Sequence, residues 1–225
     1  MTLDKDPYKE LSTVERSRAE AKKHYDRISG IYDYIEGAFE KKYRDMALDS
    51  LEITTGESVI EIGCGTGHAL KSIASQASPE GKVIGLDISS EMCKTSKKRL
   101  SSESDFDFEI ICGDAVQIPL KDSIFDKAFM SFTLELFSEK EIRMVLGEIN
   151  RVLKEEGKFC VVSLSREEDA FVELYEIFHD VFPRVLDCRP IHPEEMLKKS
   201  DYEIETIRRE KMGVLPIQIV TAISR

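Results

Sequence analysis

The chain has 225 residues, with 32 basic and 43 acidic side chains and a formal net charge of −11. This length can build one sizeable core, so we expect one domain with an added segment. The composition excludes nucleic acid as the expected partner, because phosphate binding needs clustered basic side chains. The four basic residues within Lys94–Arg99 are interpreted as a solvated helix face.

The sequence contains neither a bilayer-spanning apolar run nor a secretion signal. A cytoplasmic protein without an integral membrane segment is therefore expected. The five cysteines include no CxxC pair. Buried reduced thiols are the preferred interpretation, ahead of a metal site or a disulfide framework, so no metal is expected. No pattern indicates an oligomeric state.

Residues 1–51 are predicted to form an N-terminal helical arm and cap, and residues 52–225 the main domain. Helical spacing of apolar residues runs from Ala21 to Leu51, with a break near Gly30. Four tyrosines fall within the 19 residues from 25 to 43. That is more aromatic surface with polar tips than helix docking requires, and it is typical of a lid over a pocket.

The stretch from Ser58 to Gly67 reads SVIEIGCGTG, an apolar run followed by three glycines with single-residue gaps. The run is typical of a strand buried on both faces of a parallel sheet, and residues 68–77 are predicted to form a helix. Such a strand, loop and helix build a ligand site, because glycine lets the backbone turn tightly and approach a bound molecule.

Alternation of strands and helices continues along the chain. Further strands are predicted over residues 83–88, 108–114, 125–132 and 158–164, and a helix over 139–156 is expected to end at Gly157. Helices over 171–181 and 193–200 precede strands over 202–208 and 217–224, which can pair as a hairpin. The pattern predicts an α/β fold with a doubly wound, Rossmann-like, seven-stranded sheet, mostly parallel with an antiparallel C-terminal hairpin strand.

Acidic residues end the second and third predicted strands. Asp87 lies 20 residues after Gly67, and Asp114 ends the next strand. Ligands bind at this edge of doubly wound sheets, and the spacing of Asp87 suits the hydroxyls of a ribose. A dinucleotide fingerprint would place its third glycine where the chain has His68, so a nucleoside without a diphosphate is favoured. An NAD(P)-linked oxidoreductase remains the alternative.

These motifs resemble those of class I S-adenosylmethionine-dependent methyltransferases. The resemblance rests on EIGCGTG from Glu61, GLDIS from Gly85, GDA from Gly113 and FD from Phe125, and it covers about residues 52–165. Residues 25–33 resemble the ubiquinone/menaquinone-biosynthesis type, or methyltransferase type 11-like, subgroup. The resemblance implies S-adenosylmethionine as cofactor, S-adenosylhomocysteine as product and a small-molecule methyl acceptor.

The resemblance also implies roles for single residues on the nucleoside side. Asp87 would hold the ribose hydroxyls and Asp114 would accept from the adenine amino group. Ile88 and Ala115 would lie against the adenine. Met92 would form an apolar wall beside it, although core packing explains a methionine there equally well.

On the methionine side, Gly63 and Gly65 would pass close to the cofactor, and Glu61 would lie near its amino group unless it only caps a loop. Tyr25 and Arg44 would reach over this end, with a solvated helix face as the alternative for Arg44. The whole implied cofactor set is Tyr25, Arg44, Glu61, Gly63, Gly65, Asp87, Ile88, Met92, Asp114, Ala115 and Ser131.

The acceptor is less well defined by the sequence. The segment after the fourth strand, SFTLE, lacks the Asn/Asp-Pro-Pro-Tyr/Phe signature of enzymes that methylate amino groups of nucleobases or glutamine. Aromatic residues in and around the cap favour an aromatic, quinone-like or lipid-like acceptor. No catalytic base is assigned, because the sequence shows no set of partner residues around any candidate. The candidates are Tyr25, Tyr32, Glu135, His24, His179 and His192. A methyltransferase-like protein that binds the nucleoside without catalysis is therefore a third interpretation.

Overall fold

The computed structural model describes residues 23, 26, 40–101, 107–166 and 190–225. Its strands are β1 (Val59–Ile62), β2 (Lys82–Asp87), β3 (Asp107–Cys112), β4 (Phe125–Ser131), β5 (Leu153–Leu164), β6 (Tyr202–Met212) and β7 (Leu215–Ser224). Its helices are α1 (Lys41–Leu51), α2 (His68–Ala77), α3 (Ser90–Leu100), α4 (Glu139–Val152) and α5 (Pro193–Lys198), with a 3-10 helix at Leu134–Leu136.

The strands form one sheet in the order β3-β2-β1-β4-β5-β7-β6. Strands β1 to β5 pair in parallel, and β7 runs antiparallel to β5 and β6. The predicted seven-stranded, doubly wound fold is confirmed. The strand order reverses between β1 and β4, which makes this the switch point at which ligands of such sheets bind.

Helices cover the sheet in two layers, each with its own hydrophobic cluster. Residues of β1 point alternately to the two sides: Ile60 and Ile62 join the cluster that includes α4 and α5, while Val59 joins the one that includes α1 and α2. Tyr43 of α1 donates its hydroxyl hydrogen to the carbonyl of Lys211 over 2.6 Å. The last helix of the predicted cap therefore packs on the main sheet, and a division near residue 52 stays a prediction.

Two boundaries differ from the sequence prediction. Helix α4 ends at Val152, not at Gly157, and β5 begins at the next residue. The pairing of β5 with β4 shifts register between Phe125 and Lys127, which accommodates this irregular start. The sequence of residues 154–156 is polar and resembles the exposed face of a helix. The helical periodicity therefore predicted a helix that is longer than the observed one. The helix predicted over 171–181 lies outside the described residues.

The C-terminal hairpin is confirmed and longer than predicted. Its strands β6 and β7 pair from Tyr202/Ser224 to Met212/Leu215, so only two residues connect them. Among the helices in the described ranges, none has the length and apolar character needed to cross a membrane.

Candidate functional site

The glycine loop after β1 is fixed by backbone hydrogen bonds to the end of β2. Gly63 donates to the carbonyl of Leu86 over 2.8 Å, and Gly65 donates to Asp87 Oδ2 over 2.9 Å. At Gly63 the backbone has φ of 71°, and a Cβ there would lie 2.4 Å from Cγ2 of Thr133. The loop therefore lies directly against the segment that follows β4, at the switch point of the sheet.

Asp87 joins three segments of this site. Its Oδ2 accepts from Gly65, its Oδ1 accepts from the N–H of Ser89 over 2.8 Å, and its carbonyl accepts from Gly113 over 2.9 Å. The side chain is 9% exposed. The backbone N–H of Ile88 also acts on this carboxylate. Because a carboxylate has about four acceptor positions, Asp87 retains capacity for a ligand hydroxyl.

Burial raises the pKa of Asp87 to about 6, and the backbone N–H groups of Ser89 and Gly65 act in the opposite direction. A nearby carboxylate, Asp26, raises the pKa further. Asp26 Oδ1 accepts from Ser89 Oγ over 2.6 Å and from the N–H of Glu91 over 3.3 Å. Donors from a bound ligand would stabilise the ionised form of Asp87 and lower this pKa.

The residues expected around an adenine lie directly after β2, just after β3 and in the first turn of α3. Ile88 and Asp114 are half-buried and Ala115 is buried. Asp114 Oδ1 accepts from the N–H of Val116 over 3.1 Å, which fixes the turn after β3. Met92 is 1% exposed, which fits its core-packing interpretation as well as an apolar wall.

Of the residues expected at the methionine end, Glu61 and Arg44 are buried, and Gly63 and Gly65 are half-buried. Glu61 lies within β1 and is buried. Arg44 is 5% exposed, so the solvated-face interpretation is wrong. In the described part of the chain, Arg44 Nε and Nη1 and Ser131 Oγ have no hydrogen-bond partner. Tyr25 lies outside the described residues.

Three contacts at the site were not anticipated from the sequence. Thr133 packs on Gly63, and Asp26 accepts from Ser89. Arg99 donates from Nε to the carbonyl of Thr66 over 2.8 Å, and its Nη1 lies 2.9 Å from Nδ1 of His68. Arg99 thus fastens the glycine loop, in contrast to the solvated face expected for Lys94–Arg99. The position of Asp26 within the motif of residues 25–33 was the one available signal.

The cysteine side chains are relevant to whether the site could hold a metal ion. Cys64, Cys93 and Cys160 are buried free cysteines, as expected, but Cys112 is exposed at the end of β3. Within the described ranges, no group of three His, Cys, Asp or Glu side chains is arranged to hold a metal ion. The groups described at this edge include backbone N–H donors and carboxylates, which suit an organic ligand with hydroxyl and amino groups.

Comparisons with known proteins show which family has these motifs. A family model described as the ubiE/COQ5 methyltransferase family matches residues 11–188. The demethylmenaquinone methyltransferase of Lactobacillus johnsonii is 28% identical over 162 residues, which cover 71% of this chain and 64% of that protein. The ubiquinone/menaquinone biosynthesis C-methyltransferase UbiE of Paraburkholderia xenovorans is 29% identical over 155 residues, 69% of this chain and 61% of that protein. Each match spans less than two thirds of the relative.

Solved structures show the same fold at low identity. The [4+2]-cyclase SpnF superimposes with a TM-score of 0.76 at 16% identity, covering 94% of this chain and 97% of that one. A methyltransferase structure from Bacillus halodurans has a TM-score of 0.67 at 16% identity, covering 80% and 97%. Because one of these neighbours is named a cyclase, the shared fold alone does not decide the reaction.

Proposed function

We propose, from the premise that the chain belongs to the ubiE/COQ5 methyltransferase family, that it transfers the methyl group of S-adenosylmethionine to a small-molecule acceptor. The observation that carries this proposal is the position of Asp87, which is bonded to the glycine loop and retains capacity for a ribose hydroxyl. Family membership also argues against the NAD(P)-linked alternative. A cytoplasmic location stays a prediction.

The described residues fit the cofactor at both ends. Asp87 would accept from the ribose hydroxyls, and Asp114 would face the adenine amino group. Two nitrogens of the buried Arg44 guanidinium, Nε and Nη1, make no hydrogen bond in the described part of the chain, although Nε lies 3.9 Å from Asp45 Oδ1. A ligand carboxylate would supply the missing acceptors. Glu61 would lie near the amino group. When bound, the sulfonium supplies an electrophilic methyl group that leaves a neutral thioether behind.

The chain's contribution to the reaction is mainly alignment and exclusion of water. Two buried apolar side chains, Phe132 and Leu134, follow the carboxyl end of β4 and flank Thr133, which packs on Gly63 of the glycine loop. A fixed acceptor in a dry site needs little reorganisation to reach the methyl carbon in line with the breaking bond. The relatives named for demethylmenaquinone support a quinol-type aromatic acceptor.

Two measurements test this function. Calorimetry should detect binding of S-adenosylhomocysteine, and a labelled methyl donor should pass label to a quinol-type acceptor such as 1,4-naphthohydroquinone. Absence of cofactor binding by the folded protein would contradict the proposal. Binding without transfer to any acceptor in a panel of quinols, phenols and lipids would favour the interpretation as a binding protein without catalysis.

Replacing Asp87 with alanine is expected to weaken S-adenosylhomocysteine binding by about 10- to 100-fold, because hydrogen bonds to a charged group contribute about 1.5–3 kcal/mol. Calorimetry measures the change in Kd. The matched control is Asp122→Ala, because Asp122 is an exposed carboxylate that pairs with Arg151 outside the site. An unchanged Kd in a folded Asp87 variant would show that the ribose assignment is wrong.

A further inference from the structure

The turn after β4 packs on the glycine loop and carries a buried glutamate. The chain leaves β4 through Phe132, whose φ of 46° is unusual for a bulky residue, and Glu135 follows in the 3-10 helix. Such backbone strain persists where the surrounding structure imposes it, and it is concentrated at functional sites. Thr133, two residues before Glu135, is the side chain that packs on Gly63. Glu135 is thereby close in sequence to the contact with the cofactor loop.

One carboxylate oxygen of Glu135 has a structural partner. Pairing of β4 with β5 ends at Ser131 and Val162, and Phe132 donates to the carbonyl of Val162 over 2.8 Å. Glu135 Oε1 accepts from the N–H of Leu164, two residues further along β5, over 3.3 Å. The Glu135 side chain thus takes the place of the next backbone carbonyl in the hydrogen-bond ladder between β4 and β5. A glutamine amide oxygen would serve this purpose equally well.

The other oxygen has no such partner. Glu135 is 0% exposed, and in the described part of the chain Oε2 makes no hydrogen bond. Two serine hydroxyls at the same ends of β4 and β5, Ser131 Oγ and Ser163 Oγ, are also buried without partners there. Buried polar atoms are normally hydrogen-bonded, and Glu135 Oε2 is an exception. Packing alone does not require a carboxyl group at this position, so the exception indicates a chemical role.

We propose that Glu135 Oε2 takes the proton that the acceptor releases when it receives the methyl group. This inference rests on the proposed function. The acceptor atom forms a bond to the methyl carbon, and the bond between that carbon and sulfur breaks with its electron pair remaining on sulfur. The hydrogen on the acceptor atom leaves as a proton and binds Oε2. Charge and atoms balance without an added reagent.

The electrostatic surroundings support this role. Burial raises the pKa of Glu135 to about 8, and only the backbone N–H groups of Glu135 and Leu164 act in the opposite direction. No charged side chain in the described ranges contributes to the shift. A proton-transferring group works best with a pKa near the operating pH, which an ordinary glutamate does not have.

The test compares Glu135→Gln with the wild type in single-turnover methyl transfer to 1,4-naphthohydroquinone. The wild-type rate should rise about tenfold between pH 7 and pH 9, following the ionised fraction of a group with pKa near 8. The Gln variant should lose about 10²- to 10⁴-fold in rate and also lose this pH dependence, with Kd for S-adenosylmethionine unchanged. A rise in the variant as large as that in the wild type would show that ionisation of the quinol sets the pH dependence, and it would contradict the inference. Glu139→Gln, an exposed position at the start of α4, is the matched control.

Several outcomes would overturn the inference. A Gln variant with the wild-type rate and pH profile would show that Glu135 only completes the β5 ladder. A wild-type single-turnover rate that does not change between pH 7 and pH 9 would contradict the inference even if the variant failed to fold. Lack of transfer by a wild type that binds S-adenosylmethionine would count against the proposed function, and the inference would fail with it.

Discussion

Replacing Gly63 with alanine is expected to lower the free energy of unfolding by roughly 3 kcal/mol or more, and to weaken cofactor binding. A Cβ at this position would lie 2.4 Å from Cγ2 and 2.5 Å from Oγ1 of Thr133. Rotating the threonine does not relieve the contact, because its Cβ would lie 3.0 Å away as well. The left-handed backbone adds about 1–2 kcal/mol for a residue with a side chain, and overpacking adds about 1–3 kcal/mol.

Gly147→Ala offers the same chemical change with the opposite expected sign. Gly147 lies on the exposed side of α4, and a Cβ there would have no atom within 4 Å. Alanine in a helix interior is more favourable than glycine by about 0.5–1 kcal/mol, so this variant should be slightly more stable. Urea unfolding of both variants measures the difference. Changes of the same sign at both positions would contradict the steric explanation.

The free energy of unfolding is expected to decrease as the pH rises from about 4.5 to about 8, because Glu135 must ionise inside the folded protein. Its pKa is raised from 4.5 to about 8 on folding, so the folded state binds the extra proton in this range and loses that advantage as the proton leaves. The full decrease in the free energy of unfolding over this pH range is roughly 3–5 kcal/mol. Asp87 contributes in the same direction between about 3.8 and about 6.

Urea unfolding of the wild type and Glu135→Gln at pH 5, 7 and 9 isolates this contribution. The Gln variant cannot ionise, so its stability relative to the wild type should increase with pH and level off above about 8. Glu139→Gln should follow the wild-type curve, since Glu139 is exposed and pairs with Arg143 at the surface. Parallel pH curves for the wild type and the Glu135 variant would show that Glu135 is not buried in its ionised form.

The features that were predictable from the sequence are local ones. An apolar run followed by closely spaced glycines predicts a strand and a ligand loop, and an acid after the next run predicts a carboxylate at the same edge. Gly63, Asp87 and Asp114 lie where these patterns placed them. The hairpin also followed from two strands with a short connection.

The features that were not predictable depend on contacts between distant segments. Arg99 lies on a helix with other basic residues, and only the packed structure shows that its guanidinium reaches Thr66. Arg44 likewise has a polar sequence neighbourhood and is nevertheless buried. The isolation of Glu135 follows from where β4 stops relative to β5, which is a matter of register that residue types do not specify.

The hydroxyl of Ser89 has a consequence for cooperativity. It accepts from the N–H of Met92 as the cap of α3 and donates to Asp26, which precedes the first described helix. Its two partners belong to segments far apart in the chain, beside the carboxylate of Asp87 that also receives the N–H of Ser89. The contact of Asp26 and the start of α3 are thereby joined in one cooperative unit, so loosening either one loosens the wall of the proposed nucleoside site.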